Sequence, residues 1–122
     1  MARPLRIEFA GATYHVTSRG NERRSIFRSD RDRKMFLEFL AAATRRFGWS
    51  VSAFVLMTNH FHLVIGTPEP NLSRGMQWLN GKYAGWFNAR HDRCGHLFQG
   101  RFKAVLVEKE AYFATSKALK RP

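Results

Sequence analysis

At 122 residues with a single cysteine, Cys94, the chain is short for two ordinary domains and can form neither an internal disulfide nor a four-thiolate zinc site. Lysine and arginine total 21 against 9 acidic residues, a formal charge of +12, which favours a polyanionic partner over a merely solvated surface. No stretch approaches 18 uncharged apolar residues and the N-terminus lacks an apolar export core, so a cytoplasmic, non-membrane protein is expected.

In chain order, ATYHVTSRGN alternates apolar and polar side chains over Tyr14 to Ser18 and meets Gly20-Asn21, a strand followed by a turn. The arginine-rich ERRSIFRSD reads as a loop. Ser29 and Asp32 form a capping pair, and Phe36, Phe39, Leu40, Ala43 and Phe47 then recur at helical spacing until Gly48. Trp49 to Met57 and His60 to Ile65, separated by Thr58-Asn59, predict a hairpin that GTPEP ends.

Pro70 and Asn71 introduce a second helix with Leu72, Met76, Leu79, Tyr83, Trp86 and Phe87 on one face. Its glycines, Gly75, Gly81 and Gly85, each cost about 1 kcal/mol relative to alanine, so a close neighbour is expected beside them. After the turn RCGHLFQGR comes the strand FKAVLVEKE, and a last short helix is expected from about Glu110. The order β-α-β-β-α-β over one domain, residues 1–122, is the ferredoxin-like α+β pattern: a four-stranded antiparallel sheet with helices on one face.

Residues i and i+2 of a strand share a face, so His60 and His62 project together while Phe61, Leu63 and Ile65 face the helices. Neutral imidazole is the commonest metal ligand, and two of them can share a divalent ion if a third group arrives from elsewhere. Against this stands the plainer reading of two polar residues on a solvated sheet face. His15, on the neighbouring first strand, is a weaker candidate for the third imidazole.

The segment VLMTNHFHLVI resembles the histidine-hydrophobe-histidine strand of the single-tyrosine transposases, and specifically their REP-associated branch. YHVTSRGNERRSIF, PEPNLSRGMQWLNGKYAGWFNARH and GHLFQGRFKAVLVEKEAY resemble the same branch in the same order, covering almost the whole chain up to Tyr112. The resemblance implies a ferredoxin-like protein, usually a homodimer, that binds a DNA hairpin and cuts single-stranded DNA beside it. It implies His60 and His62 as ligands of Mg²⁺ or Mn²⁺, which polarises the scissile phosphate as a Lewis acid. It further implies a tyrosine on the final helix that attacks phosphorus and becomes linked to the 5′ end.

The resemblance breaks at that last step. The family's nucleophile follows the position of Tyr112 by about two turns, shortly before an Asn-Pro pair, whereas this sequence reads YFATSKALKRP, with Leu119 at the expected place. A catalytic helix truncated after about residue 112 is therefore expected. Tyr112 is a weak substitute, because it matches the aromatic that docks the helix.

For DNA, Arg19, Asn21, Arg23, Arg24 and Arg28 after the first strand offer guanidinium forks for phosphates or base edges. Arg3 and Arg6 form a basic arm, and Lys82, Arg90, Arg101 and Lys103 are expected to touch the backbone. Gln99 and His96 match the family without an assigned role. The enzyme reading competes with a hairpin-binding module that does not cut, and with a ferredoxin-like RNA binder, which would want exposed aromatics on the sheet face.

Overall fold

The computed structural model describes residues 8–109. Its elements are β1 (Ala12–Arg19), a 3-10 turn (Asn21–Arg23), α1 (Asp30–Phe47), β2 (Ser50–Met57), β3 (His60–Thr67), α2 (Leu72–Arg90) and β4 (Lys103–Lys109). The strands form one sheet in the order β2-β3-β1-β4, every pair antiparallel, the ferredoxin-like arrangement anticipated from the sequence. Arg3, Arg6, Tyr112 and the expected last helix lie outside the described residues.

Both central strands run longer than the hydrophobic alternation predicts. β1 and β3 pair from Ala12 with Thr67 to Arg19 with His60, because ladder hydrogen bonds continue wherever the partner backbone is present, whatever the side chains. Alternation sets the faces instead. Phe61, Leu63 and Ile65 are fully buried beneath the helices, as are Val16 of β1, Phe36 of α1 and Met76, Leu79, Tyr83 and Phe87 of α2.

The helices start and stop where local chemistry requires. Ser29 accepts from the Asp32 N–H at 3.3 Å, Asp32 accepts from the Arg28 N–H at 2.8 Å, and Gly48 at φ 72° ends α1 in the left-handed conformation that glycine tolerates. The Glu8 carboxylate accepts from the Ser73 N–H in the first turn of α2, where a negative charge complements the helix dipole. Trp49 joins the two ends: its indole N–H donates to Asn71 Oδ1 at 2.9 Å, and Asn71 Nδ2 donates to the Phe47 carbonyl.

The expectation for the α2 glycines holds at one position of three. A Cβ on Gly75 would fall 2.0 Å from the Trp49 ring, so the indole occupies the space a side chain would need. At Gly81 and Gly85 an added Cβ would meet nothing within 4 Å. Helical period alone does not reveal which face of a helix has a neighbour.

Candidate metal centre and nucleic-acid interface

β3 carries His60 and His62 on the open face of the sheet, and the register sets their surroundings. His62 stands opposite Thr17 of β1 and Val55 of β2, while His60 stands opposite Arg19 and Met57. Their rings lie at right angles with centroids 5.1 Å apart. The sequence expectation of two imidazoles sharing one face is met.

Each ring has its Nδ1 engaged. His60 Nδ1 lies 2.8 Å from Asn59 Oδ1. A carboxamide oxygen can only accept, so Nδ1 carries the proton and Nε2 presents its lone pair. His62 Nδ1 lies 3.0 Å from His15 Nε2 and 3.1 Å from the Thr17 hydroxyl, and the His15 and His62 rings stack with centroids 5.0 Å apart. In the tautomer whose Nδ1–H donates to either neighbour, His62 also presents the Nε2 lone pair. Fixing one ring nitrogen to orient the other is the usual arrangement around a metal-ligating histidine.

His15 thus reaches the pair through His62. Among the described residues, no group of three or more His, Cys, Asp or Glu side chains is arranged to hold a metal. The donor chemistry nevertheless fits a divalent ion at two positions, since both imidazoles are oriented by partners and the neutral form of His62 is favoured. Burial pushes the His62 pKa below its ordinary 6.5, and the neighbouring His15, His60 and Arg19 add to the effect. Exposed apolar side chains flank the cluster: Val55 and Met57 on one side, and Val105, paired with His15, on the other.

Beside the histidines is a cleft of about 270 Å³ lined by Thr17, Ser18, Gln99 and four cationic residues, Arg19, Arg23, Arg101 and Lys103. The chain builds it by tying residues 97–99 to the end of β1. The Asn21 N–H donates to the Leu97 carbonyl, the Gln99 N–H donates to the Arg19 carbonyl, and Gly20 bridges Phe98. Glu22 and Arg23 adopt positive φ of 56° and 59°, a costly conformation for residues with side chains, on the turn that brings Arg23 to the cleft.

The remaining basic candidates stand elsewhere. The Arg28 guanidinium packs over Phe87, Arg90 lies 3.9 Å from Asp32, and the Lys82 ammonium lies over Trp78, all on the helical layer. Arg24 pairs with Glu22 at 3.2 Å on the surface. Asn21 contributes through its backbone. Two tyrosines are committed to the core, since the Tyr14 hydroxyl accepts from the Phe9 N–H and the buried Tyr83 hydroxyl donates to the Ile26 carbonyl. Burial raises the Tyr83 pKa further from the range of an accessible phenolate.

Sequence reasoning missed Asn59, Thr17 and the Asp32–His91 pair. Asn59 directly precedes the first histidine, and Thr17 follows His15 at strand spacing, so both were findable once the β1–β3 register was known. Asp32 and His91 are 59 positions apart, with Nε2 2.9 Å from Oδ2, and no local pattern joins them.

The fold has counterparts among known proteins. A sequence model described as transposase IS200-like matches residues 8–118. The chain belongs to the IS200-like transposase family. Among solved structures it is similar to a REP-associated tyrosine transposase bound to a REP hairpin, with TM-score 0.71 and 18% identity over 95% of this chain and 68% of that one. It is also similar to a candidate transposase from Deinococcus radiodurans, with TM-score 0.64 and 15% identity over 98% and 95% of the two chains. A comparison with curated proteins found no match. At these identities the two structures speak for the fold. Among the described residues, no helix is long and apolar enough to cross a membrane.

Proposed function

We propose that this IS200-like transposase binds hairpin DNA with single-stranded flanks and holds a flanking phosphate at His60 and His62, with strand cleavage impaired. The reading rests on two imidazoles whose Nδ1 atoms are both engaged, side by side on an open sheet face beside a cleft of four cations. His60 and His62 would hold a divalent ion, Mg²⁺ or Mn²⁺, through Nε2. That ion, when bound, supplies Lewis-acid polarisation of a phosphoryl oxygen.

The chain's own groups do the rest. Asn59 fixes the orientation and tautomer of His60, and the His15–Thr17 pair fixes the orientation of His62, so little reordering accompanies binding. Arg19, Arg23, Arg101 and Lys103 neutralise backbone phosphates, and guanidinium forks give two of their oxygens defined positions. Val55, Met57 and Val105 border the histidines with apolar surface, which limits water around a phosphate placed there.

Covalent strand transfer also needs a tyrosine oxygen about 3 to 3.5 Å from phosphorus and in line with the leaving oxygen. Tyr14 and Tyr83 are excluded by their core hydrogen bonds, which leaves Tyr112 as the one other tyrosine in the sequence. The alternative to an impaired enzyme is a hairpin-binding module, for which the cationic cleft suffices.

The test gives the 122-residue chain Mn²⁺ and a DNA hairpin with single-stranded flanks. A gel shift without a denaturation-resistant protein–DNA adduct is expected. An adduct that disappears with Tyr112→Phe makes Tyr112 the nucleophile and the chain a competent enzyme. Absence of any shift overturns the DNA reading itself.

A further inference from the structure

Asp32 is fully buried in the first turn of α1, and its carboxylate reaches the opposite end of the other helix. His91 Nε2 lies 2.9 Å from Oδ2 and 3.0 Å from Oδ1. A carboxylate only accepts, so Nε2 carries the proton and donates from α2 to α1. The Arg28 N–H donates to Oδ2 at 2.8 Å, and Arg90 Nε stands 3.9 Å from Oδ1. A buried charge needs such partners, and each of them is thereby held in place.

His91 is the residue at which α2 ends. Its N–H donates to the Phe87 carbonyl, and its ring packs on Phe87 with centroids 4.4 Å apart. Asp92 then turns the chain away at φ 52°. Residues 91–102 belong to no helix or strand, and β4 begins at Lys103. Short local bonds shape the turn, from the Arg93 N–H to the Asn88 carbonyl and from Asn88 Nδ2 to the Gly95 carbonyl.

This segment supplies one wall of the cationic cleft. Gln99 and Arg101 come from it, Arg19 and Arg23 come from the chain before α1, and no aspartate or glutamate lines the space. Like charges around one cleft repel, so the walls spread unless the fold holds them together before DNA arrives. The bonds at Leu97 and Gln99 join the two walls at one place. The second tie is His91, because the chain that carries Arg23 runs on through Arg28 into α1 and Asp32.

We propose that Asp32 and His91 are a positioning pair for DNA binding: they fix the start of residues 91–102 against α1 and so keep Arg101 facing Arg19 and Arg23 across the cleft. The inference rests on the DNA reading above and concerns residues that touch neither the metal ligands nor the cleft itself. The wall before α1 has anchors of its own, since Ile26 and Phe27 are buried and their N–H groups donate to the Thr58 carbonyl. Loss of the pair therefore loosens the Arg101 wall alone. A loosened wall must be reordered when DNA binds, which lowers affinity without removing a cation.

The experiment titrates a DNA hairpin with single-stranded flanks, without metal and over a range of salt, under conditions where circular dichroism shows every variant folded. His91→Leu keeps the bulk and cannot donate. It should weaken binding on the order of fivefold and flatten the log-log salt dependence by about 0.9, the share of one phosphate contact. His91→Gln, whose carboxamide N–H can reach the same carboxylate, should restore both. Leu40→Ala empties a core position eight residues along α1, about 12 Å away, and should change neither. Amide exchange without DNA gives a second measurement: relative to β3, the Gln99 N–H should exchange faster in His91→Leu than in wild type or Leu40→Ala.

Unchanged affinity and salt slope in His91→Leu would overturn the positioning role and leave the DNA reading intact. A loss that Leu40→Ala reproduces, or that His91→Gln fails to restore, would overturn it as well. Failure of the wild-type chain to bind the hairpin would overturn both readings.

Discussion

The two faces of β3 divide the work of the molecule between adjacent residues. Phe61, Leu63 and Ile65 have no exposed surface, and their neighbours across the sheet continue a core that closes on the aromatic rings of Phe36, Tyr83 and Phe87. His60, His62 and Val64 look the other way, part-exposed, toward a face with no helix over it among the described residues. One face rests on close packing and the other on hydrogen-bonded imidazoles. Substitutions on the first should be read as stability, and on the second as ligand binding.

The largest separation of the two faces should come from Phe61→Ala. Emptying a fully buried position surrounded by aromatic rings should cost about 3–5 kcal/mol of stability. His62→Ala, one residue on, should cost well under half as much, because its ring is part-exposed. Urea denaturation of both variants measures the difference, and equal losses would mean that the histidine face is structural.

Next in size is Asp32, the buried charge of the helical layer. It accepts from the Arg28 N–H and from His91 Nε2, so it pins the start of α1 to the end of α2. Asp32→Ala leaves those donors unpaired and should cost about 1–3 kcal/mol. Metal affinity should not change with it, because the network lies across the sheet from the histidines. A metal titration that moves in parallel with stability would break the division between faces.

On the open face, Mn²⁺ should raise the melting temperature of the wild-type chain in a concentration-dependent way, since a ligand that binds only the folded state stabilises it by mass action. The double variant His60→Ala with His62→Ala should lose that response while keeping hairpin affinity within a few-fold. Mn²⁺ should also act at lower concentration than Mg²⁺, which prefers oxygen ligands. Identical metal responses of wild type and double variant would reduce the pair to surface polarity.

The smallest effect is on pH. His62 has a folded-state pKa below its ordinary 6.5, so the unfolded chain binds more protons just below that value and stability rises with pH there. The metal-free protein should lose stability as pH falls from about 7 to about 5, and the His62 contribution should be level above about 6.5. His62→Gln should remove part of that slope. Thermal melts at constant ionic strength check it, and an unchanged slope would assign the acid sensitivity to other groups.

Much of this was legible in the residues themselves. Period-two alternation in HFHLVI separated the histidines from the core, and helical spacing from Phe36 to Phe47 and from Leu72 to Phe87 placed both helices. Ser29 and Gly48 marked the ends of α1. These signals are local, because each depends on dihedral periodicity or capping within a few residues, and they sufficed for element order and for the sheet's two faces.

Other features exist through pairings that join distant parts of the chain. The β1–β3 register sets Thr17 opposite His62 and brings His15 Nε2 to its Nδ1 across 47 positions, and that contact orients the ring. The bonds from Asn21 and Gln99 bring Arg19, Arg23, Arg101 and Lys103 around one cleft, while Arg28 and Arg90, equally basic in sequence, fall on the helical layer. Composition made a phosphate partner the expectation. Only the fold decides which cations face the same space, since charge is a property of residues and convergence a property of packing.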